Sequence, residues 1–118
     1  MALNANGLNA MVGGLTAVAG YASLHTAQPD ASGSAEITGG SYSREAISWN
    51  AASNGTATSS ANIVFDVPAD TTISYLGYWS AASGGTFYGS VELDTAQTFS
   101  GSAGTYTISA GNLSESVS

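Results

Sequence analysis

His25 is the single histidine of the chain, and histidine is the side chain best suited to acid–base chemistry near neutral pH. A serine hydrolase brings Ser, His and a carboxylate together in space. With eight acids and abundant serine, these ingredients are present by composition alone, and the Gly-x-Ser-x-Gly nucleophile motif is absent. We therefore predict no catalytic residue. The favoured role of His25 is structural hydrogen bonding in the loop after the first strand, with pH sensing or a ligand contact as alternatives.

Asp66 and Asp70, on either side of Pro68, are the carboxylates closest to a glycosidase-like pair, which must stand about 5–10 Å apart across a sugar. Alternation points Asp66 outward from its strand, and Asp70 suits a turn, so two structural roles are favoured. The chain has no Cys, and its acids lack the spacing of a calcium loop. Phosphate-cradling and dinucleotide motifs are also absent. We predict neither a metal nor a cofactor.

Arg44 is the only Lys or Arg residue, against eight acids, so the net charge is -7. A lone cation among acids favours a structural clamp that pairs with Glu36, Glu45 or a backbone carbonyl; a pair between subunits is the alternative. One cation cannot neutralise a phosphate backbone or an anionic lipid surface. Nucleic acid and membrane are therefore excluded as predicted partners, and no apolar stretch reaches the roughly 18 residues of a membrane span.

Aromatic side chains offer one route to a ligand, because sugars stack on exposed rings. The candidates are Tyr42, Tyr78, Trp79 and Tyr88. Strand alternation places Tyr78 and Tyr88 outward, which makes them the predicted exposed contacts, with a host surface glycan as the implied ligand. Packing in the core or at a subunit interface is the favoured explanation for the whole set.

The elements that position these residues are poor in bulky apolar side chains. Ala, Gly, Ser and Thr make up 66 of the 118 residues, whereas Leu, Ile, Val and Phe supply only 21. The length suits a single domain over residues 1–118 with a thin core and no disulfide staples. We therefore expect partner subunits to contribute part of the stability.

A helix is predicted within residues 1–19, where apolar side chains recur at helical spacing and Gly20 suits a terminator. Four residues of this stripe are candidate interface or anchor residues: Leu8, Met11, Val12 and Leu15. We add Arg44 to this set as a pairing residue. Residues 11–22 resemble the apolar part of a signal peptide. No Lys or Arg precedes them, so we expect the segment to be retained.

Period-two alternation begins at residue 21 and predicts short strands separated by Gly, Ser, Asn and Pro. The expected strands are 21–27, 35–38, 42–49, 63–67, 71–79, 86–93, 97–100 and 105–109, with a loop at 50–62. Residues 71–79 are apolar on both faces and suit a central strand. The predicted fold is all-β: an antiparallel β-sandwich or jelly roll over residues 20–113, a short N-terminal helix, and a polar tail at 114–118.

A series of short motifs resembles a family of small bacteriophage virion proteins, usually labelled tail fibre or minor tail proteins and frequent in phages and prophages of actinobacteria. The series covers roughly residues 1–90 and comprises 21–27 (YASLHTA), Pro29, Gly33, 36–44 (EITGGSYSR), 49–53 (WNAAS), 65–68 (FDVP), Leu76, Gly77, Trp79 and 82–87 (ASGGTF).

The resemblance implies a non-enzymatic structural component of a tailed phage virion, associated with the tail, acting through contacts between subunits and assembled in the host cytoplasm. Its expected partners are further copies of itself, a trimer being one arrangement, and other virion proteins of the tail or the major capsid shell. Two alternatives remain open from the sequence. One is a capsid decoration protein that stabilises the shell, and the other is a carbohydrate-binding module for host recognition.

Overall fold

One helix, α1 (Ala5–Val18), begins the part of the chain that the computed structural model describes, which is residues 5–111 and 113–116. The side chains of residues 5, 7, 8, 11 and 114–116 lie outside this description. Val12 is fully buried, and Leu15 packs against the core from its edge. The helix thus rests on the β-structure of its own chain, as an apolar stripe at helical spacing dictates.

Within the described residues, eight strands follow the helix. They are β1 (Tyr21–His25), β2 (Glu45–Ala46), β3 (Thr56–Thr58), β4 (Ile63–Val67), β5 (Thr71–Trp79), β6 (Phe87–Phe99), β7 (Gly104–Ile108) and β8 (Ser114–Ser116). All pairings are antiparallel. A four-stranded sheet has the order β2-β1-β5-β6, and two smaller sheets consist of β4 with β7 and of β3 with β8.

Strand β5 has the boundaries and the central position that its sequence predicts. It lies between β1 and β6, and side chains on both of its faces are buried, as for Ile73, Leu76 and Trp79. Direct opposition of Leu24 on β1 with Leu76 brings two buried residues together on one face. The doubly apolar pattern is therefore explained by burial on both sides of the sheet.

The main core lies between the large sheet and β4. Buried residues of the large sheet, such as Leu24 and Leu76, share one cluster with Ile63, Phe65 and Val67 of β4. Strict alternation along β4 leaves Val64 and Asp66 exposed between these three. Each fully buried large side chain contributes about 1.5–3 kcal/mol. The arrangement confirms the predicted mainly β, sandwich-like class with a short helix.

The opposite face of the large sheet is covered by the loop from residue 26 to residue 44. Gly33 in this loop has φ +78° and lies so close to the sheet that an added Cβ would stand 2.4 Å from Cζ2 of Trp79. Only glycine fits both the backbone conformation and the space. The loop is tied to the strand end by the bridge between His25 and Glu36.

Several predicted element boundaries are wrong. The expected strand at 42–49 is reduced to β2 and an isolated bridge at Trp49, while the expected loop at 50–62 contains β3. The polar tail contributes β8, which pairs with β3 through backbone groups that no apolar pattern marks. The expected strands 86–93 and 97–100 are one strand, β6, because both parts pair with β5.

Candidate functional site

Arg44 lies at the centre of a polar cluster. Its Nε donates to both carboxylate oxygens of Glu36, at 3.3 and 3.0 Å, and its Nη2 to Oε1 at 2.9 Å. Nη1 donates to the carbonyl oxygens of Ala81 at 3.1 Å and Gly84 at 2.8 Å. The guanidinium carbon lies 3.6 Å from the ring centroid of Trp79. We call this set the Arg44 clamp; it joins the 26–44 loop to the β5–β6 loop, and the predicted pairing with Glu36 is confirmed.

Tyr42 completes the clamp from the side of β1. Its hydroxyl donates to Oε2 of Glu36 at 2.8 Å and accepts the backbone N–H of Leu24 at 3.0 Å. Burial, reinforced by the neighbouring Glu36 carboxylate, raises the pKa of Tyr42 far above its ordinary value. Burial alone would raise the pKa of Glu36, but the hydrogen bonds from Arg44 and Tyr42 and the Arg44 charge lower it overall. The carboxylate is therefore held charged and in place.

His25 takes part in a second network, in which the side chains of Ser23, His25 and Trp79 are buried. Trp79 Nε1 donates to Ser23 Oγ at 2.9 Å, Ser23 Oγ lies 2.7 Å from His25 Nε2, and His25 Nδ1 lies 2.8 Å from the Ser34 carbonyl oxygen. A carbonyl only accepts, so Nδ1 carries the proton and Nε2 accepts from the Ser23 hydroxyl. Burial is the main cause that lowers the pKa of His25. Ser23 and His25 have no exposed surface, so this serine–histidine pair meets no substrate in this arrangement.

The acids identified in the sequence have separate structural surroundings. Asp66 is exposed on β4. Burial of Glu45, and second to it the charge of Asp66, raises the pKa of Glu45. Asp70 has φ +58° and accepts the backbone N–H of Gly101 at 3.0 Å, which ties two turns together. Within residues 5–111 and 113–116, no group of three His, Cys, Asp or Glu side chains is arranged to hold a metal ion.

The aromatic residues do not form an exposed platform. Tyr78 is 3% exposed, so its prediction as an outward contact is wrong. The physical reason is the central position of β5, which buries both faces and packs Tyr78 beside Trp49 at 6.2 Å between ring centroids. Tyr88 is 42% exposed, whereas Trp79 lies buried beneath Arg44.

The helical anchor residues are described in part. Val12 and Leu15 pack inward, while the side chains of Leu8 and Met11 lie outside the described residues. Asn9 carries no signal in the sequence, but its Oδ1 accepts the backbone N–H of Gly55 at 2.7 Å and fixes α1 to the turn before β3. In the part of the chain that is described, no helix is long and apolar enough to cross a membrane.

The comparison with protein families decides the broad assignment. The family model of Podophage GP4 fiber I protein gp80 matches residues 2–116. The chain belongs to this family. A search of curated proteins gives no match. Membership of the fiber I family identifies the chain as a member of a phage tail fibre family and implies a virion component, in agreement with the resemblance observed in the sequence.

In this fiber I family member, Arg44 and His25 each contact separate segments of the chain. Arg44 joins two loops, and His25 joins β1 to the loop that covers it. Both clusters meet at Trp79, whose ring lies under Arg44 and whose N–H reaches Ser23. Polar contacts thus connect the loops to the large sheet in a chain where bulky apolar residues are few.

Proposed function

We propose that this chain is a non-enzymatic structural component of a tailed phage virion, carried on the tail fibre and acting through contacts between subunits. The observation that carries the proposal is the fiber I family match over residues 2–116, which spans nearly the whole chain. A fibre component requires a rigid domain and surfaces for neighbouring subunits, and it requires no reacting group.

The internal polar contacts support a non-enzymatic role. All three nitrogens of the Arg44 guanidinium donate to Glu36 or to two backbone carbonyls, and the side chain is only 10% exposed. The Ser23–His25 pair is closed to solvent. An enzyme of this size would need such groups to face a cleft where substrate could reach them.

Exposed apolar side chains support assembly with other subunits. Val18, Val64 and Tyr88 are each at least 42% exposed, in a chain that has few large apolar residues. Burying such residues against neighbours would supplement the thin core. A homo-oligomer such as a trimer, attached to other tail proteins, is the arrangement we propose.

Copy number in purified particles tests the proposal against capsid decoration. Quantitative mass spectrometry, calibrated against the major capsid protein, is expected to give a few to some dozens of copies per virion. Hundreds of copies would contradict the tail assignment and favour a decoration protein. A glycan array tests the remaining alternative. Binding that is lost in Tyr88→Ala would add a recognition role, whereas we expect no bound glycan.

A further inference from the structure

A groove opens between β6 and β7, where the smaller sheet fails to cover the larger one. Among the described residues, the large sheet has four strands and the sheet of β4 and β7 has two. The groove has a volume of about 590 Å³, within the roughly 300–1,000 Å³ of ligand-sized sites. Its apolar lining consists of Leu76, Val91, Leu93, Ile108 and Leu113. Val91 is 37% exposed there, although the residue opposite it, Leu76, is buried.

The strands beside the groove have free edges. Among the described residues, β6 has β5 as its ladder partner and β7 has β4, so each strand is paired on one side. A further strand next to β7 would extend the smaller sheet over β6 and close the groove. Extended segments bind to such edges through backbone hydrogen bonds, and alternate side chains enter the adjoining pocket. Strand β7 contains none of the charged residues or prolines that often protect free edges.

A four-residue bulge in β6 places two acidic side chains, Glu92 and Asp94, on the lining of the groove, and we call them the acidic wall. Ile73 of β5 pairs with Gln97 and Tyr75 pairs with Glu92, so residues 93–96 stand opposite Ser74 alone. This bulge places Asp94 beside Glu92 on the lining, across from Tyr106 of β7. Burial and the charge of Asp94 both raise the pKa of Tyr106, in agreement with a negative potential across the groove.

The charge of the chain decides between occupants. A second copy brings a net charge of -7 and no Lys, and its one Arg is committed to Glu36. Its surface therefore offers no side-chain cation to Glu92 and Asp94, and bringing two copies together at this point would oppose like charges. A different chain that carries Lys or Arg complements the wall.

We propose that the β6–β7 groove receives an extended segment of a different protein, which adds as a strand beside β7. Alternate apolar side chains of this segment pack on Val91 and Leu93, and a Lys or Arg faces Glu92 and Asp94. That the partner is another virion protein rests on the proposed function. The preference for a basic, extended segment rests on the groove alone.

Synthetic peptides test the groove with the purified full chain. The probe is a blocked ten-residue peptide of alternating valine and lysine or threonine, compared by isothermal calorimetry with a peptide in which glutamate replaces lysine. We expect the basic peptide to bind and the acidic one not to. N-methylation of alternate backbone nitrogens along one edge of the basic peptide should abolish binding, because strand addition needs those N–H groups.

Matched charge variants localise the binding. E92Q/D94N should weaken binding of the basic peptide about fivefold to tenfold, the effect of two partly exposed ion pairs. E45Q/D66N removes the same charge from β2 and β4 and should change affinity less than twofold. Equal losses in the two variants would show general charge attraction and overturn the proposal, as would equal binding of both peptides or no binding at all.

Two further results separate this proposal from the proposed function. Sizing of the pure protein that shows an oligomer, with β7 amides protected from hydrogen exchange only in the oligomer, would overturn the proposal by giving the groove to a second copy. Failure of the basic peptide to bind would overturn the groove proposal and would leave a tail location of the protein in particles unaffected. Conversely, peptide binding with the protein absent from particles would contradict the proposed function and leave the groove's specificity intact.

Discussion

Arg44→Met is the substitution whose effect the structure defines most closely. Methionine keeps the unbranched stem of the side chain, so the change removes the charge and its contacts with little loss of packing. It eliminates the bidentate bond to Glu36, two bonds to the carbonyls of Ala81 and Gly84, and the cation–π contact with Trp79. Glu36 keeps only the hydrogen bond from Tyr42 among the side-chain contacts described above.

The expected loss follows from burial of the pair. Removing one partner of a buried ion pair costs about 3–5 kcal/mol because the other charge is left without compensation. The side chains of Arg44 and Glu36 keep 10% and 20% exposure, which lowers the expected cost to about 2–4 kcal/mol. The double variant E36Q/R44M leaves no unpaired charge and should be more stable than R44M by about 1 kcal/mol or more.

The pH dependence carries a definite sign. In the wild-type protein the pKa of Glu36 is lowered, so its contribution is present above the unfolded pKa and is lost as pH falls through the folded pKa. Without Arg44, burial dominates and the pKa of Glu36 rises instead. Protonation then relieves the variant, so its deficit relative to wild type should shrink from pH 7 to pH 4.

Urea unfolding followed by tryptophan fluorescence measures these differences, since Trp79 lies directly under the guanidinium. Thermal melting should show R44M about 10 °C below wild type at pH 7, at roughly 4 °C per kcal/mol for a chain of this size. A deficit below about 1 kcal/mol, a deficit that grows toward acid, or a double variant less stable than R44M would refute the reasoning.

Three further predictions follow from the His25 network and from α1. Burial lowers the pKa of His25 in the folded protein, so the contribution of neutral His25 to stability is present above its ordinary pKa of 6.5 and is lost as pH falls below that value. Thermal melts of H25Q should lack this part of the pH dependence between pH 6.5 and 5. A pH dependence parallel to that of wild type would contradict the prediction. Gly77→Ala would place a Cβ 2.5 Å from Ser23 Oγ and should lower the free energy of unfolding in urea by about 3 kcal/mol. Gly14→Ala lies in open space on α1 and should raise it by up to about 1 kcal/mol. A Gly77→Ala variant more stable than Gly14→Ala would refute both assignments. Asn9→Ala should cost about 1 kcal/mol and increase hydrogen exchange at the Gly55 amide, and unchanged exchange would show that the contact does not form.

The parts of the fold that can be predicted from the sequence are those with strong local patterns. The alternation at 63–67 and the doubly apolar run at 71–79 gave β4 and β5 with correct boundaries. Arg44 was identified as a clamp because it is the only cation, and a lone cation among eight acids has few other stable environments. Val12 followed from helical spacing.

Long-range pairing decided the parts that were not predictable. β3 and β8 consist of small and polar residues, whose pairing depends on backbone groups and leaves no periodic signal. Strand alternation alone predicts Tyr78 to point outward, because it contains no information that the loop and the second sheet cover both faces of β5. The β6–β7 groove has no signal in the sequence, since it arises from a second sheet that is narrower than the first.

Immunogold labelling of intact particles with an antibody to this protein tests the central claim most directly. Particles of the phage that encodes the chain would be imaged by negative-stain electron microscopy, with an antibody to the major capsid protein as the positional control. The fiber I assignment predicts gold on the tail fibres. Gold distributed over the head, together with the capsid control, would contradict it.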